Sequence, residues 1–533
     1  MLHTTTSRRG MVVAPHHLAA EAGLAVLRDG GNAIEAMIAA AATIAVVYPH
    51  MNGLGGDNFW LISSHGKPPV AIDACGPAAQ SASTTFYAER GYASIPTRGP
   101  LAALTVAGAV GGWEMALAEA RMLGGRMPLS RLFADATAYA RHGFPASATQ
   151  ANNSRSKMSE LADQPGFTST YFIDGEVPQV GMTFQNVALA ATLDRLAEAG
   201  LDDFYRGDVA QTMARELEHA GSPLRIGDLN AYMARRVTPR SVGLKHGTVF
   251  NLPPPTQGLA SLMILGIAEQ LPEAPAESFG WLHGLVESTK RAFVVRDRHV
   301  GDPLYMTIDP AAMLEKASLA KLASGIDMQQ AMPWPRPAGA GDTVWLGAID
   351  SEGTAVSFIQ SIYWEFGSGV VLPSTGVLWQ NRGVSFSLEP GHHNVLKPGR
   401  RPFHTIQPAM ALLNDGRVLP YGTMGGEGQP QTQSAIYSRY VVHGMGLQQA
   451  ITSPRWLLGR TWGAESTTLK LESRFDPGVV AAMRNTGHEV ELMGPFEEAM
   501  GHAGALVFHR SGARAGLIEG ASDPRSDGRA AGF

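Results

Sequence analysis

The dipeptide Asp342-Thr343 lies between a run of small residues, Ala338-Gly339-Ala340-Gly341, and a stretch of strand-forming residues that begins at Thr343. Pro333, Pro335 and Pro337 stand just upstream, so the Met332 to Gly341 stretch reads as a linker. A cut between Asp342 and Thr343 would give Thr343 a free α-amine beside its own hydroxyl. An α-amine titrates near roughly 7.7–8.0, so much of it is neutral at physiological pH and can take up the hydroxyl proton, directly or through a water. A strand would hold the hydroxyl rigidly, while a linker of this composition would let the released end move away.

The elements that must position such a group are legible around it. Val344 to Ile349 and Thr354 to Ile362 read as two strands of a hairpin about Asp350-Ser351-Glu352-Gly353. Phe59 to Ser63 and Val70 to Asp73 read as a second hairpin, and Met11 to Ala14 as a short strand. Further strands are expected at Ala409 to Leu413, Thr468 to Leu471 and Ala505 to His509. Leu18 to Arg28 is a helix stopped by Gly30-Gly31, and Asn32 caps the next one with Glu35 in capping-box position. From Ala102 to Leu319 the pattern is mainly helical, at Val110 to Met122, Leu129 to Arg141, Asn186 to Ala199 and Gly207 to Ala220. Pro253-Pro254-Pro255 precedes a long helix. An α-rich middle and a β-rich final third imply an α/β (α+β) protein in which helices cover sheets.

Bulk properties narrow the partners. The chain has 533 residues, 44% hydrophobic and 17% charged, with 42 Lys plus Arg against 47 Asp plus Glu for a net charge of −5. No basic block marks a nucleic-acid surface, so a small molecule or another copy of the chain is the expected partner. Cys75 is the only cysteine, which excludes an internal disulfide and a multi-cysteine metal site. His16-His17 and His392-His393 are adjacent pairs, which rarely converge on one ion, and no metal or cofactor is expected. No histidine partner for Cys75 is indicated, and a packed or pocket-lining thiol is expected there. The start lacks an apolar signal region, and Ala36 to Tyr48 is shorter than the roughly 20 residues of a membrane span; the expected location is cytoplasmic. "GLGGDNF" lacks the Gly-Lys-Ser/Thr of a phosphate loop and reads as a tight turn near the site.

Seven stretches spread over the chain, "NGLGGDNFWLI", "FNLPPPTQG", "STKRAFVVRDRHVGDP", "DTVWLGAIDSEGTAVSF", "RRPFHTIQPAM", "GTMGGEGQPQT" and "SDPRSDGRAAGF", resemble the γ-glutamyltranspeptidase family. The resemblance implies a four-layer αββα sandwich of the N-terminal-nucleophile hydrolase type. It also implies a precursor that cleaves itself at Asp342-Thr343 into a large subunit, 1–342, and a small one, 343–533, forming one intertwined domain. Thr343 then matches the nucleophile, and Gly425-Gly426 the glycine pair whose backbone N–H groups form the oxyanion hole.

The substrate anchors depart from the family pattern. Cys75 occupies the place of the arginine after "AID" that binds a glutamyl carboxylate, and His404-Thr405 the place of a serine pair. Ser361 and Tyr363 replace the Thr and Asn downstream of the nucleophile, and Val384-Ser385 replace the acidic pair that binds the amine. A site without its arginine should bind glutamate poorly. The pattern is nearest to oxamate amidohydrolase and transpeptidase-like amidases, which implies a smaller carboxylate-bearing amide. Arg382 is the leading candidate for its carboxylate, with His404 and Thr405 adding hydrogen bonds, Tyr363 narrowing the pocket and Ser361 orienting the Thr343 amine or hydroxyl. A γ-glutamyl transferase or hydrolase with altered anchors and a non-catalytic binding relative are the alternatives. A homo-oligomer of the cleaved heterodimer is a further expectation.

Overall fold

Val344, Leu346 and Ala348 pack on one face of the Asp342–Asp350 strand, and Trp345 and Ile349 pack on the other, all of them buried. A strand that is apolar on both faces has to lie between two layers. The computed structural model of the chain supplies both, and it describes residues 2–334, 342–459 and 466–533, with Asp342 described by its backbone alone. The Met332 to Gly341 linker therefore falls, from residue 335 on, outside the described residues.

Two seven-stranded antiparallel sheets are stacked face to face. The first runs in the order Arg529–Gly532, Gly10–Ala14, Asp342–Asp350, Ala355–Tyr363, Asp57–Ser63, Val70–Ala74, Arg235–Val237. The second runs Thr5–Ser7, Ile518–Ser522, Ala503–His509, Arg417–Thr423, Ala409–Leu413, Gly247–Asn251, Arg240–Leu244. Helices His17–Arg28, Ala33–Val47 and Ala109–Met122 cover the outer face of the first sheet; Gly258–Ala268 and Gly428–Tyr437 cover that of the second, with Phe279–His299 packed behind them. This is the expected four-layer αββα sandwich. Residues from both sides of position 342 contribute strands to each sheet, so the chain forms a single body around shared cores.

The capping box at Asn32 is present. Its Oδ1 accepts from the N–H groups of Ile34 and Glu35 at 3.1 and 3.0 Å, and Glu35 accepts from the Asn32 N–H at 2.9 Å. Asp350, at the far end of the Asp342–Asp350 strand, accepts from the Ala33 N–H at 2.9 Å, locking that helix to the strand that begins at the candidate nucleophile. The terminal "SDPRSDGRAAGF" stretch also has a structural use. Arg525 is buried and grips Glu472 through two nitrogens, each at 2.7 Å, while Asp523 accepts from the Ala503 N–H at 2.6 Å.

Three expectations need correction. The predicted Leu129 to Arg141 helix is two, Leu129–Leu132 and Ala134–His142, hinged at Phe133. The helix after the prolines is short, Gly258–Ala268. The helical middle also contains strands at 235–237, 240–244 and 247–251, which sheet pairing stabilises although their alternation is weak. Among the described residues no helix is long and apolar enough to cross a membrane.

Candidate active site

The paired strands meet out of step where the site begins. Asp342 lies opposite Tyr363 but Val344 opposite Gln360, so Thr343 alone faces the two residues Ser361 and Ile362. Such a bulge kinks the strand and re-aims one side chain. Thr343 is fully buried, and its hydroxyl accepts from the Gln429 side-chain amide at 3.4 Å. Gln429 sits in the first turn of the Gly428–Tyr437 helix, and its own carbonyl oxygen accepts from the Gln407 N–H at 3.2 Å.

Ser361, expected to orient Thr343, accepts from the Tyr363 N–H at 2.8 Å. That bond closes a tight turn in which Tyr363 takes φ 83°, a left-handed conformation that costs a tyrosine on the order of 1–3 kcal/mol. Strain held at this point places the Tyr363 ring beneath Arg382, whose guanidinium carbon is 3.6 Å from the ring centroid.

Gly425 and Gly426 follow the Arg417–Thr423 strand with φ 106° and 50°. Glycine is required for this turn, because consecutive positive φ values would strain any other residue. Among the described residues neither N–H donates a hydrogen bond, while the carbonyls accept from Gly428 and Gln429 at 2.8 and 3.3 Å. The turn is braced from behind. The Gln257 side-chain amide donates to the carbonyls of Gly426 at 2.7 Å and Thr405 at 2.5 Å. Arg296, itself buried, donates to Gln257 at 3.0 Å and to Glu427 at 2.8 Å. Gln257, Arg296, Glu427 and Gln429 lie inside the stretches that carry the family resemblance, yet none was singled out from the sequence.

Arg382 is completely buried, rather than in a surface salt bridge. One of its nitrogens donates to the Thr405 hydroxyl at 3.2 Å, whereas Nε and Nη1 have no partner among the described residues. Burial lowers its pKa to about 10, against the raising effect of Tyr363 and Asp57. Vacant donors on a buried guanidinium suit an anion; a carboxylate would pair Nε or Nη1 with the second N–H of Nη2, since Nε and Nη1 point to opposite edges of the plane.

Asp57, from the "GLGGDNF" turn, is the residue that sequence reading overlooked. Its backbone pairs with Ser361, and its carboxylate accepts from the N–H groups of Gly76 at 3.1 Å and Gly108 at 3.0 Å, from Gln380 at 3.1 Å and from His404 at 3.1 Å. Burial pushes Asp57 up to about 7, opposed by the Gly76 N–H, Arg382 and the other donors. His404 is buried edge-on against Phe59, with rings 4.8 Å apart; burial, with Arg382 beside it, holds its pKa well below the usual value.

Cys75 does have a histidine nearby, contrary to expectation. Its sulfur, an Asp57 oxygen and a His404 nitrogen lie within 4.8 Å of one another. Burial, reinforced by Asp57 and Asp73, pushes the thiol well above its ordinary pKa, which leaves a packed thiol rather than a nucleophile. The same three residues make a poor metal site, because four N–H groups already occupy the carboxylate and Arg382 puts a positive charge beside it. A second cluster, His283, Glu287 and His488, already holds a cation: the Lys290 ammonium donates to Glu287 at 2.7 Å and to His488 at 3.3 Å. His16 caps a helix, its Nδ1 accepting from the Leu18 N–H at 3.3 Å, and the His392 and His393 rings lie 4.5 Å apart at a 36° tilt.

The structure thus gathers Thr343, Ser361, Tyr363, Arg382, His404, Thr405, Gly425 and Gly426 at one end of the two sheets, with Cys75 beside His404. The profile of the gamma-glutamyltranspeptidase family matches residues 19–533. The chain is 55% identical to the oxamate amidohydrolase proenzyme of Klebsiella pneumoniae, over the full length of both. It is 40% identical to a glutathione hydrolase-like proenzyme, YwrD, of Bacillus subtilis, over 98% of both chains. Among solved structures, a cephalosporin acylase from Bacillus halodurans superposes with a TM-score of 0.91 at 32% identity, covering 100% of this chain and 97% of that one. By sequence and by fold, the chain is an amidohydrolase that belongs to the gamma-glutamyltranspeptidase family.

Proposed function

We propose that the chain is a self-processing threonine amidohydrolase whose substrate is a small carboxylate-bearing amide such as oxamate. Thr343 attacks the Asp342 carbonyl, an N-to-O acyl shift gives an ester, and water cleaves it to leave subunits 1–342 and 343–533. In the mature enzyme the Thr343 α-amine takes the hydroxyl proton as oxygen adds to the substrate carbonyl. The N–H groups of Gly425 and Gly426 receive the developing oxyanion. The tetrahedral centre collapses, the amide nitrogen leaves protonated as ammonia, and water then releases the acid from the Thr343 ester. Arg382 holds the substrate carboxylate and Thr405 supports that arginine. Ser361 fixes the turn that presents Tyr363. No cofactor enters the scheme.

The observation that carries this reading is Arg382, a buried cation with two vacant nitrogens in the short Arg382–Ser385 turn, stacked on Tyr363, the residue that pairs with Asp342 beside the candidate nucleophile. A γ-glutamyl substrate would also present an ammonium group, whereas Asp57, the carboxylate beside Arg382, is already engaged by four donors, three on Oδ1 and His404 on Oδ2. The name borne by the 55% identical relative points to the same substrate class. Ammonia release from oxamate, measured beside turnover of glutathione and a γ-glutamyl anilide, tests the proposal. Preferred turnover of the γ-glutamyl compounds would overturn it. Terminal sequencing of the small fragment should read Thr-Val-Trp-Leu.

A further inference from the structure

His404 bonds to Asp57 at 3.1 Å, and Arg382, bonded to the adjacent Thr405 at 3.2 Å, is near enough to act on the charge of both. Arg382, Asp57 and His404 are fully buried, so none of their charges is screened by water. Arg382 with ionised Asp57 sums to zero. A substrate carboxylate entering beside Arg382 would leave one uncompensated negative charge in a region from which solvent is excluded, which is costly. The least expensive remedy is a proton.

The surroundings define where that proton can go. Asp57 is faced by the backbone N–H groups of Gly76 and Gly108, by Gln380 and by His404, with Arg382 and the Cys75 thiol alongside. Tyr205 and Tyr232 look toward it from the helical side, and both phenols are held neutral by burial, well above their usual pKa. Asp73 and Asp302 share Arg401, at 2.5 and 3.3 Å, and Arg235 acts on Asp73 as a second cation, so that outer group of two carboxylates and two arginines sums to zero. His404 uses one ring nitrogen on Asp57, and its other nitrogen, Nδ1, has no partner among the described residues. An added proton can therefore reside on Asp57, with His404 turning acceptor, or on Nδ1 while Nε2 keeps donating to Asp57. Either state removes one negative charge from these surroundings, and the two residues titrate as a pair.

We propose, resting on the carboxylate-binding reading above, that Asp57 is the built-in counterion of Arg382 and that the Asp57–His404 pair takes up one proton with each substrate carboxylate bound. Asp57 is then a specificity-determining residue, because its charge at rest opposes the capture of anions that do not bring a proton with them. The elevated Asp57 pKa agrees with this role.

Pyruvate, in which a methyl group replaces the amide nitrogen of oxamate, is a non-hydrolysable probe for the mature enzyme. Calorimetric titration at pH 8 in two buffers of different ionisation enthalpy should show uptake of about one proton per pyruvate, falling toward zero below about pH 6, with Kd rising up to about tenfold per pH unit above that range. Binding without proton exchange would overturn the inference and leave the carboxylate-binding reading standing. No binding of pyruvate would remove both. The Asp57→Asn variant should bind pyruvate without the uptake; uptake that persists in it would move the proton to another group, such as the Thr343 amine, and sink the assignment. If that variant does not fold, the two-buffer comparison on the unaltered enzyme and on His404→Gln still decides the matter.

Discussion

Thr405 and Gly426 are tied to one another by a single nitrogen, the side-chain amide of Gln257, at 2.5 and 2.7 Å. Thr405 supports the cation proposed to hold the substrate, and Gly426 belongs to the turn proposed to stabilise the oxyanion. The two ends of a reacting amide are thereby referenced to one rigid group, which Arg296 fixes in turn at 3.0 Å. Misplacement by even a fraction of an ångström at such a site lowers the rate more than it lowers binding.

Replacing Gln257 by Leu should consequently reduce kcat about 10- to 100-fold with a smaller change in KM, since displaced oxyanion donors act on the transition state. Steady-state kinetics on oxamate checks this. An effect confined to KM would place Gln257 outside the catalytic framework.

Arg382→Met should raise KM and lower kcat/KM by about 10- to 150-fold, the worth of roughly 1.5–3 kcal/mol for hydrogen bonds to a charged group. Arg382→Lys should recover part of the loss, because a lysine supplies the charge without the planar fork. Self-cleavage should continue in both, which a denaturing gel would reveal.

Thr343→Ala should remain a single full-length band on that gel and release no ammonia. Two bands, or residual turnover by this variant, would assign the chemistry to a different residue.

Glu498 offers a pH test of stability. Burial raises its pKa to about 8, with Asp527 and Glu365 adding repulsion. The folded state therefore keeps a proton that the unfolded chain releases above its ordinary pKa of about 4.5, and stability falls as pH rises from there through about 8. Glu498→Gln removes this penalty, so its Tm advantage over the unaltered protein should be larger at pH 9 than at pH 5. Thermal melts at the two pH values measure it; equal differences would contradict a protonated Glu498.

Breaking the Arg296–Glu427 pair should be costly. Glu427→Ala leaves the buried Arg296 guanidinium with Asp297, at 2.7 Å, as its remaining carboxylate partner, so the loss should fall below the roughly 3–5 kcal/mol of a pair broken to leave an uncompensated charge. Denaturant unfolding would register it even if self-cleavage survived.

Local signals were enough to locate the strand that starts at Thr343, the hairpin partner that carries Ser361 and the Asn32 capping box, whereas the Gly425-Gly426 pair came from the family resemblance. Each of the first three depends on residues a few positions apart, where alternation and capping leave a readable trace. The helix split at Phe133 and the three strands between 235 and 251 escaped because neighbouring layers, rather than local preference, determine them. Asp57, Gln257 and the burial of Arg382 escaped for a stronger reason. Asp57 meets His404 across 347 positions of chain, and Gln257 meets Gly426 across 169. Whether a charge is solvated, paired or left with open donors depends on what the two sheets bring around it, and that enclosure exists only once they have closed on each other. The sequence by itself determined which residue could become a nucleophile; only the tertiary structure decided which charges would surround it, because desolvation belongs to a place in the fold and not to a position in the chain.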